Sequence, residues 1–257
     1  MSVPSLEGRF AIVTGASSPG GIGRAIARRF AREGASVLLV ADGTPAQLDD
    51  ARALCAAEGG SGRIEVLPID LSLPEGPASM IGAAVHLFGR VDILVNNAAT
   101  RAPMPFGDYT REQFDRVVAV NLAAPFFASQ AVLPLMRRQG GGRIIHIASQ
   151  LGHVAGAGRA LYGLTKAALI HLTKSMAFEL GRENILVNAI SPGPVATPAV
   201  VGSRSDAELA ARFAQYLPAG RLGRPEEIAE LALFLAASSP AFLQGQDVLV
   251  DGGYTLH

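Results

Sequence analysis

The chain has 257 residues, 49% of them hydrophobic, and its 22 basic and 22 acidic side chains leave no formal net charge. Because no basic block stands out, we expect no nucleic-acid partner. The length suits one α/β domain that spans residues 1–257. Cys55 is the only cysteine, so no internal disulfide can form and a reducing, cytoplasmic location is expected.

Short apolar runs rich in β-branched residues recur along the chain and predict strands. Most are nearly continuous in apolar residues, which is typical of parallel strands covered on both faces. The runs occupy residues 10–14, 36–40, 64–69, 92–96, 143–148, 185–190 and 247–250.

Longer stretches between these runs have the pattern of helices, and glycines follow most of them as helix stops. Strand–helix alternation predicts right-handed crossovers. We therefore predict one doubly wound Rossmann-type domain, an α/β fold with a seven-stranded, mostly parallel sheet and helices on both faces. The helical stretches are 23–33, 46–58, 75–88, 111–138, 160–181 and 225–237.

Three further segments bear on location and on the site. The start of the chain lacks an apolar run, so no secretion signal is expected. Residues 119–136 are apolar but interrupted by polar residues and proline, so they predict a buried helix and no membrane partner. Residues 192–206 form the longest irregular stretch and predict a mobile loop over a site.

A glycine-rich segment, TGASSPGGIGRAIA over residues 14–27, follows the first predicted strand. Its glycines let the backbone turn sharply and approach a ligand without Cβ clashes. The helix that begins near Ile22 offers free N–H groups and a positive dipole end to a pyrophosphate. The segment does not match G-x-G-x-x-G, so its position after the strand supports a dinucleotide site more than its spacing does.

Asp42 follows the second predicted strand, 19 residues after Gly23. An acid at about this distance is where a ribose 2′-hydroxyl is held in dinucleotide sites, and its charge repels a 2′-phosphate. No Lys or Arg follows before Arg52. The sequence therefore favours NAD over NADP.

Tyr162 and Lys166 lie four residues apart at the start of a helical stretch, so their side chains are expected on one helix face. A nearby ammonium favours the phenolate, which would make the phenol an acid or base near neutral pH. Ser149 ends the fifth strand and offers a hydroxyl to a substrate oxygen. Tyr-x-x-x-Lys occurs by chance on many helices. The prediction therefore depends on Ser149, Tyr162 and Lys166 occurring together with the glycine segment.

The sequence resembles the short-chain dehydrogenase/reductase family over nearly its whole length. The motifs that carry the resemblance are TGASSPGGIG (14–23), DLS (70–72), NNAA (96–99), VNL (120–122), Ser149, YGLTK (162–166), SPGPVAT (191–197) and GQDVLVDGG (245–253).

The resemblance implies a catalytic role for four residues. Tyr162 would be the acid/base, and Lys166 would lower its pKa and hold the nicotinamide ribose. Ser149 would hydrogen-bond the reacting oxygen. Asn121 would anchor a water that relays protons from Lys166.

The resemblance also implies a set of cofactor-binding residues. Asp70 and Leu71 would meet the adenine, Asn97 the adenine ribose region, and Thr197 the carboxamide or phosphates. The full set is Gly15, Ser17, Gly21, Ile22, Gly23, Asp42, Asp70, Leu71, Asn97, Ala98, Tyr162, Lys166, Pro192, Gly193, Val195 and Thr197.

Three departures from the family pattern are visible. The glycine segment is read as one residue longer than T-G-x-x-x-G-x-G, with Pro19 as the extra residue. Ala99 stands where the family has glycine, and Leu164-Thr165 replaces a commoner small pair. Both of these changes are expected to be tolerated because the polar side chains remain.

Candidate substrate residues lie on the loop after the fifth strand, namely Gln150, His153 and Arg159, and Arg101 begins another possible wall after the fourth. His146 is expected to be structural. The five histidines show no metal-ligand spacing, so no metal site is predicted.

The leading functional hypothesis is an NAD-dependent enzyme that transfers a hydride between the cofactor and a secondary alcohol or ketone, with Tyr162 exchanging the proton. A sugar, polyol or cyclic alcohol is the preferred substrate, and oxidation the preferred direction. One alternative is a 3-oxoacyl thioester reductase that uses NADPH and docks an acidic carrier protein through Arg137 and Arg138. Another is a catalytically silent dinucleotide-binding sensor, which the complete catalytic set disfavours. The resemblance further implies a homo-oligomer, a tetramer or dimer, with helices 111–138 and 160–181 at one interface.

Overall fold

The computed structural model describes residues 5–202, 205, 208–209, 213 and 216–256. Its seven strands form one sheet with the order β3-β2-β1-β4-β5-β6-β7, and every neighbouring pair is parallel. The predicted α/β fold is confirmed, and the sheet is wholly rather than mostly parallel. The strands are β1 (Phe10–Thr14), β2 (Ser36–Ala41), β3 (Ile64–Pro68), β4 (Ile93–Asn96), β5 (Gly142–Ile147), β6 (Ile185–Pro192) and β7 (Asp247–Val250).

Helices cover both faces of the sheet, as the alternating pattern predicts. Within the described residues they are α1 (Ile22–Arg32), α2 (Pro45–Ala56), α3 (Gly76–Phe88), α4 (Arg111–Val118), α5 (Ala124–Gln139), α6 (Ala160–Leu180), α7 (Pro198–Val201) and α8 (Pro225–Leu233).

Two predicted helices are interrupted by π-helical turns. The stretch 111–138 divides into α4 and α5 around Ala119–Ala123, and the stretch 225–237 ends as α8 followed by a π turn over Phe234–Ser238. A π turn adds a residue to the helical repeat and is frequent at functional sites. The sequence Ala-Val-Asn-Leu-Ala gives no local signal for this change of hydrogen bonding.

The core has two layers, one on each side of the sheet. Phe30 of α1 and Leu233 of α8 belong to one buried cluster, and Met80 of α3 and Val132 of α5 belong to the other. The strands contribute to both clusters because successive residues face opposite sides. Each fully buried side chain of this size contributes about 1.5–3 kcal/mol of hydrophobic stabilisation.

The parallel arrangement brings the carboxyl ends of the strands to one edge of the sheet. The loops after β1, β2, β4, β5 and β6 therefore open on the same side, where ligands bind in folds of this kind. The predicted mobile segment 192–206 contains the end of β6 and the short helix α7. Residues 203–204 and 206 of that segment lie outside the described residues.

The helical stretch Arg111–Gln139 is long and apolar enough to cross a membrane, judged by length and composition alone, and 39% of its most apolar window is buried. A core helix passes the same test. Val132 and Met136 on this stretch pack against the sheet, and Asn121 on it bonds to two neighbouring segments. These contacts place the stretch in the fold, and the prediction that the chain has no membrane partner stays a prediction.

Candidate active site

The glycine segment turns back sharply at the end of β1. Gly15 adopts a left-handed conformation with φ 67°, and its N–H donates to Val40 O at 2.7 Å. A Cβ on Gly15 would lie 2.8 Å from both the Asn97 amide nitrogen and the Ala98 Cα. Only glycine fits this backbone, because both the conformation and the space exclude a side chain.

The extra length of the glycine segment forms a closed turn. The Gly21 N–H donates to Ser18 O at 3.0 Å, with Pro19 at the second position and Gly20, φ 64°, at the third. This is the arrangement of a type II turn. Five residues separate Gly15 from Gly21 where the family pattern has three, so the insertion is two residues, Pro19 and Gly20, and the prediction of one was wrong.

The N-terminus of α1 has no side-chain cap. Gly21 occupies the N-cap position in an extended conformation and offers no side chain to the free N–H groups, whereas Thr44 and Thr110 cap α2 and α4 with their hydroxyls. Unsatisfied N–H groups at a helix start bind anions. Ile22 and Gly23, two of the predicted cofactor residues, are the first residues of α1. The uncapped start of this helix therefore fits the pyrophosphate of NAD(P).

Asn97 and Thr14 brace the turn after β1. The Asn97 amide nitrogen donates to Thr14 O at 2.7 Å and to Gly15 O at 3.2 Å, and the Thr14 hydroxyl accepts from the backbone N–H of Asn97 and of Ala98 at 2.9 Å. These bonds occupy the amide nitrogen of Asn97. Its predicted contact with the adenine ribose region can therefore use only the side-chain carbonyl oxygen.

Asp42 is exposed immediately after β2. The glycine segment lies beside it, because a Cβ on Gly43 would be 2.6 Å from the Ser17 hydroxyl oxygen. The nearby cation Arg24 is buried and donates to Asp50, to Ser17 O and, at 3.1 Å, to Gln47 O. Its guanidinium is thus committed to α2 and to the backbone of the loop.

Asp70 and Leu71 follow β3 on the same edge. The Asp70 carboxylate accepts from the Ser72 N–H at 2.8 Å, and hydrogen bonds from Ser72 lower the pKa of Asp70. Leu71 is buried. The pair offers one acceptor that is ionised at neutral pH and one apolar surface, the two features that the predicted adenine contact requires.

The segment after β6 supplies the last group of predicted cofactor residues. Pro192 ends β6, and a Cβ on Gly193 would lie 2.5 Å from the Asp251 Cα, so this position packs too tightly for a side chain. Val195 is buried and forms a bridge with Gly223. Thr197 directly precedes α7, and its hydroxyl makes no cap hydrogen bond there.

Tyr162 and Lys166 lie on one face of α6. The Lys166 ammonium nitrogen is 5.6 Å from the centre of the Tyr162 ring and donates to Ile147 O at the end of β5 at 2.7 Å. Tyr162 is 9% exposed and Lys166 2%. One of the three ammonium hydrogens is used by Ile147, which leaves two for the predicted ribose contact.

Burial lowers the pKa of Lys166, and it does so against the opposing effect of Tyr162. The positive charge of Arg101 lowers this pKa further. Low dielectric disfavours the ammonium, while the phenolic partner favours it. Lys166 is therefore a buried amine whose charge depends on its neighbours.

Asn121 lies in the π turn between α4 and α5 and is buried. Its side chain accepts from the Thr100 N–H at 2.8 Å and donates to Thr100 O at 3.0 Å and to the Thr165 hydroxyl at 3.1 Å. Thr165 in turn donates to Tyr162 O at 2.8 Å. Asn121 thus connects the loop after β4 to the first turn of α6, and its role with a relay water stays a prediction.

Ser149 lies directly beyond β5 and is buried. Its hydroxyl donates to the Gln150 side-chain oxygen at 3.0 Å and accepts from the Leu151 N–H at 3.2 Å. The Leu151 bond fixes the position of the oxygen. The hydroxyl hydrogen can turn from Gln150 to a substrate oxygen, because a hydroxyl rotates about its C–O bond.

The three predicted substrate residues occupy different environments. Gln150 is buried against Ser149, while Arg159 is half-buried at the residue that precedes α6. The His153 Nε2 lies 2.5 Å from the Asp247 carboxylate, so its ring is held toward β7. That contact was not predicted, and a substrate role for His153 stays a prediction.

Sequence reasoning missed three residues of this edge: Thr14, Thr165 and Asp247. All three lie inside the quoted motifs, so the polar residue in each motif was the available signal. For Asp247 that signal did not identify its partners, because His153 and Ser191 are 94 and 56 positions away. No group of three or more His, Cys, Asp or Glu that could hold a metal occurs in the described part of the chain.

Comparison with protein families and curated proteins gives consistent matches. Residues 15–255 match the family model for enoyl-(acyl carrier protein) reductase. The chain is 39% identical to an uncharacterized oxidoreductase, YxjF, of Bacillus subtilis (strain 168), over 95% of this chain and 97% of that protein. It is 35% identical to the 3-oxoacyl-[acyl-carrier-protein] reductase FabG of Thermotoga maritima, over 98% and 99%.

Solved structures match equally well. A double mutant of a Serratia marcescens short-chain dehydrogenase/reductase has a TM-score of 0.89 at 35% identity, with 97% of this chain and 99% of that chain covered. A candidate NAD(P) dependent gluconate 5-dehydrogenase from Beutenbergia cavernae, with NADP bound at low occupancy, gives 0.89 at 38% identity and covers 98% and 99%. A 7α-hydroxysteroid dehydrogenase complexed with NADH and 7-oxo glycochenodeoxycholic acid gives 0.89 at 35%, over 97% and 95%.

The fold, the uncapped start of α1 and the Tyr162–Lys166 face agree with these matches, which cover nearly the whole chain and are more than 30% identical. The chain belongs to the short-chain dehydrogenase/reductase family and is an NAD(P)-dependent oxidoreductase.

Proposed function

We propose that this enzyme interconverts a secondary alcohol and a ketone with NAD as its cofactor, in the direction of alcohol oxidation. The observation that carries the proposal is the Tyr162–Lys166 pair, with the ammonium nitrogen 5.6 Å from the ring centre at the edge where α1 opens. A bound nicotinamide would accept the hydride from the alcohol carbon.

The residues of the chain divide the remaining work. The Tyr162 hydroxyl takes the proton of the alcohol, or returns it in the reverse direction. Lys166 lies beside it and holds a charge that favours the phenolate. Ser149, fixed by Leu151, donates its hydroxyl hydrogen to the substrate oxygen. Because these side chains are largely buried, their interactions act in a medium of low dielectric.

The choice of NAD rests on Asp42. Its carboxylate is exposed beside the glycine segment, where it would accept a hydrogen bond from the ribose 2′-hydroxyl and repel a 2′-phosphate. The four arginines of α1 are each paired with an acid and so leave no free cation from this helix for a phosphate; they are Arg24, Arg28, Arg29 and Arg32. Structural neighbours carry either NADH or NADP, so relatives alone do not decide the cofactor.

A sugar, polyol or cyclic alcohol is the proposed substrate class. Relatives of the chain are named for a cyclic steroid alcohol and for gluconate, both of which bear secondary hydroxyls.

The alternative, a 3-oxoacyl thioester reductase that uses NADPH, is supported by the relative from Thermotoga maritima. Such a reductase requires basic side chains that bind an acidic carrier protein. Arg137 in the predicted patch is paired with Glu183 at 2.6 and 3.0 Å, which leaves Arg138 as its exposed neighbour. Asp42 also opposes NADPH, so the alcohol dehydrogenase is preferred.

Substitution Tyr162→Phe tests the proposal. Turnover across a panel of secondary alcohols should fall by at least ~100-fold, because the proton-transfer group is gone. NADH binding, followed by fluorescence, should persist. The matched control is Tyr109→Phe, since the Tyr109 hydroxyl is buried with no hydrogen-bond partner among the described residues. Full activity of Tyr162→Phe would remove the phenol from the mechanism.

We also propose that the enzyme is a cytoplasmic homo-oligomer, a tetramer or dimer, that binds no nucleic acid and no membrane. Large apolar side chains are exposed on α5 and α6, namely Phe126, Phe127, Leu164 and Phe178. Burial of such a surface between copies would stabilise an assembly. Light scattering of Phe178→Glu against the unchanged protein tests the interface, and an unaltered mass would count against α6 as part of it.

A further inference from the structure

Arg101 lies over the catalytic tyrosine. The central carbon of its guanidinium is 5.4 Å from the centre of the Tyr162 ring, and the side chain reaches the ring from the loop after β4. We propose that Arg101 determines specificity by binding a carboxylate on the alcohol or ketone substrate. This inference rests on the proposed function, because it places the carboxylate beside the atom that Tyr162 protonates.

The backbone beside Arg101 is bonded to Asn121, a predicted catalytic residue. Thr100, the neighbour of Arg101, exchanges two backbone hydrogen bonds with the Asn121 side chain, at 2.8 and 3.0 Å. Asn121 also bonds to Thr165 in the first turn of α6. The backbone that carries the guanidinium is therefore tied to the helix that carries Tyr162.

Arg101 has no acidic partner. It is exposed and makes no ion pair within 4.0 Å of a described acid, whereas Arg24 and Arg137 are each paired. An arginine presents a planar fork of N–H donors that matches a carboxylate. The fork of Arg101 is thus available to a ligand.

Three loop stretches near Tyr162 carry no acid. Residues 98–107, 149–162 and 193–202 contain no Asp or Glu, and they include Arg101 and Arg159, while the ring of His153 is held by Asp247. The charge of these stretches, together with the Lys166 ammonium, is positive. A neutral sugar or polyol would leave that charge unbalanced, whereas a carboxylate would balance it.

The interaction of Arg101 with Lys166 supports the same conclusion. The positive charge of Arg101 lowers the pKa of Lys166, so the two cations repel one another. An anion bound to Arg101 would offset this repulsion at the buried ammonium. A carboxylate substrate would then raise the pKa of Lys166 back toward its ordinary value as it binds.

Space for an acidic substrate lies on the same loop. A cavity of about 350 Å³ adjoins Arg101, and its wall includes Met104, Gln113 and a second cation, Arg116, but no acid. The walls of the cavity and the guanidinium can hold a short chain or ring that carries the carboxylate. Arg101 belongs both to this wall and to the contact with the Tyr162 ring.

The experiment compares hydroxy acids with uncharged analogues. The probes are 3-hydroxybutanoate and 3-hydroxycyclohexanecarboxylate, each beside its methyl ester, with NAD at saturation. Arg101→Met should lower kcat/KM for the acids by roughly 10- to 100-fold, and at least tenfold more than for the esters, because a charge-assisted bond is lost. The kcat/KM of Arg101→Lys for the acids should lie between that of the unchanged enzyme and that of Arg101→Met, since an ammonium keeps the charge but cannot form the fork. Arg182→Met, at an exposed arginine beyond α6, is the control that should leave the acid preference unchanged.

A binding measurement separates this inference from the proposed reaction. Saturation-transfer NMR with butanoate and butanamide on the NADH-loaded enzyme should show binding of the acid that Arg101→Met abolishes. Such binding in an enzyme that oxidises no alcohol of the panel would support the carboxylate site while the proposed function fails. Absence of butanoate binding to the unchanged enzyme, or an acid preference retained in Arg101→Met, would overturn the inference.

Discussion

The His153 ring and the Asp247 carboxylate meet at 2.5 Å, and Ser191 donates to the same carboxylate at 2.7 Å. His153 follows Ser149, a predicted catalytic residue, by four residues, and Ser191 precedes the predicted cofactor segment that begins at Pro192. Since a carboxylate only accepts hydrogen bonds, the His153 Nε2 carries the hydrogen. Asp247 at the start of β7 therefore connects the predicted substrate loop to the end of β6, where the predicted cofactor segment begins.

Asp247→Asn should weaken the hydrogen bonding that holds both segments and so lower stability and activity together. The amide can accept from Ser191, but it presents N–H groups to the His153 ring, so a hydrogen bond to a buried charge is lost at a cost of about 1–3 kcal/mol. We expect a Tm lower by roughly 3–8 °C and a kcat/KM reduced several-fold.

Two further variants test whether the His153–Asp247 contact is the cause of these losses. His153→Asn and the double variant with Asp247→Asn should show a coupling energy of about 1 kcal/mol in urea unfolding. The control His86→Asn changes an exposed histidine on α3 and should leave both values unchanged. Additive effects of the two substitutions would mean that the contact does not join the loops.

Asp42→Ser should change the cofactor preference. Removal of the carboxylate takes away the acceptor for the ribose 2′-hydroxyl and the repulsion of a 2′-phosphate. The ratio of kcat/KM for NAD to that for NADP should fall by about tenfold or more, and NADH should bind more weakly in a fluorescence titration. Asp49→Ser, at an exposed acid on α2 that pairs with Arg52, is the control. An unchanged protein that already prefers NADP would contradict the assignment.

The helices and strands could be predicted from the sequence because their signals are local. Apolar runs located each strand within two residues, and glycine stops located most helix ends, but not those of α4 and α8. The contacts that shape the site are not local. The Arg101 guanidinium over the Tyr162 ring joins residues 61 positions apart, and Asn121 in the π turn bonds to Thr100 and Thr165, 21 and 44 positions away. Motifs therefore predicted which residues would meet the cofactor, and only the fold showed what surrounds Tyr162.

His146 makes the stability of the fold depend on pH. It is fully buried in β5, its Nδ1 lies 3.2 Å from the Asn96 amide nitrogen, and its Nε2 has no hydrogen-bond partner among the described residues. Burial lowers the pKa of His146 to about 3, with a smaller contribution from Lys166. The unfolded chain takes up the proton below about pH 6.5, while the folded chain stays neutral.

Stability should therefore be complete above pH 6.5 and fall as the pH falls toward 3. The expected loss between pH 7.5 and pH 5 is about 2 kcal/mol, measured by urea unfolding. His146→Asn should remove most of this loss of stability at lower pH. His171→Asn, at an exposed position on α6, should not. Most carboxylates titrate below this window, so a flat profile in the unchanged protein would show that His146 is not the cause.

Gly23→Ala should damage the cofactor site through packing alone. A Cβ at this position would lie 2.4 Å from the Asn97 amide nitrogen and 2.5 Å from Gly15 O, both of which form the turn after β1. Relief of the clash requires the brace between Asn97 and Gly15 to open, at a cost of about 1–3 kcal/mol.

The expected result is weaker NADH binding in fluorescence titration together with a lower Tm. Gly82→Ala is the matched control, since Gly82 lies on the exposed side of α3 and a Cβ there meets nothing within 4 Å. It should raise stability by up to about 1 kcal/mol because alanine favours a helix interior. If Gly23→Ala bound NADH as tightly as Gly82→Ala, the start of α1 would not need the close packing that the structure shows.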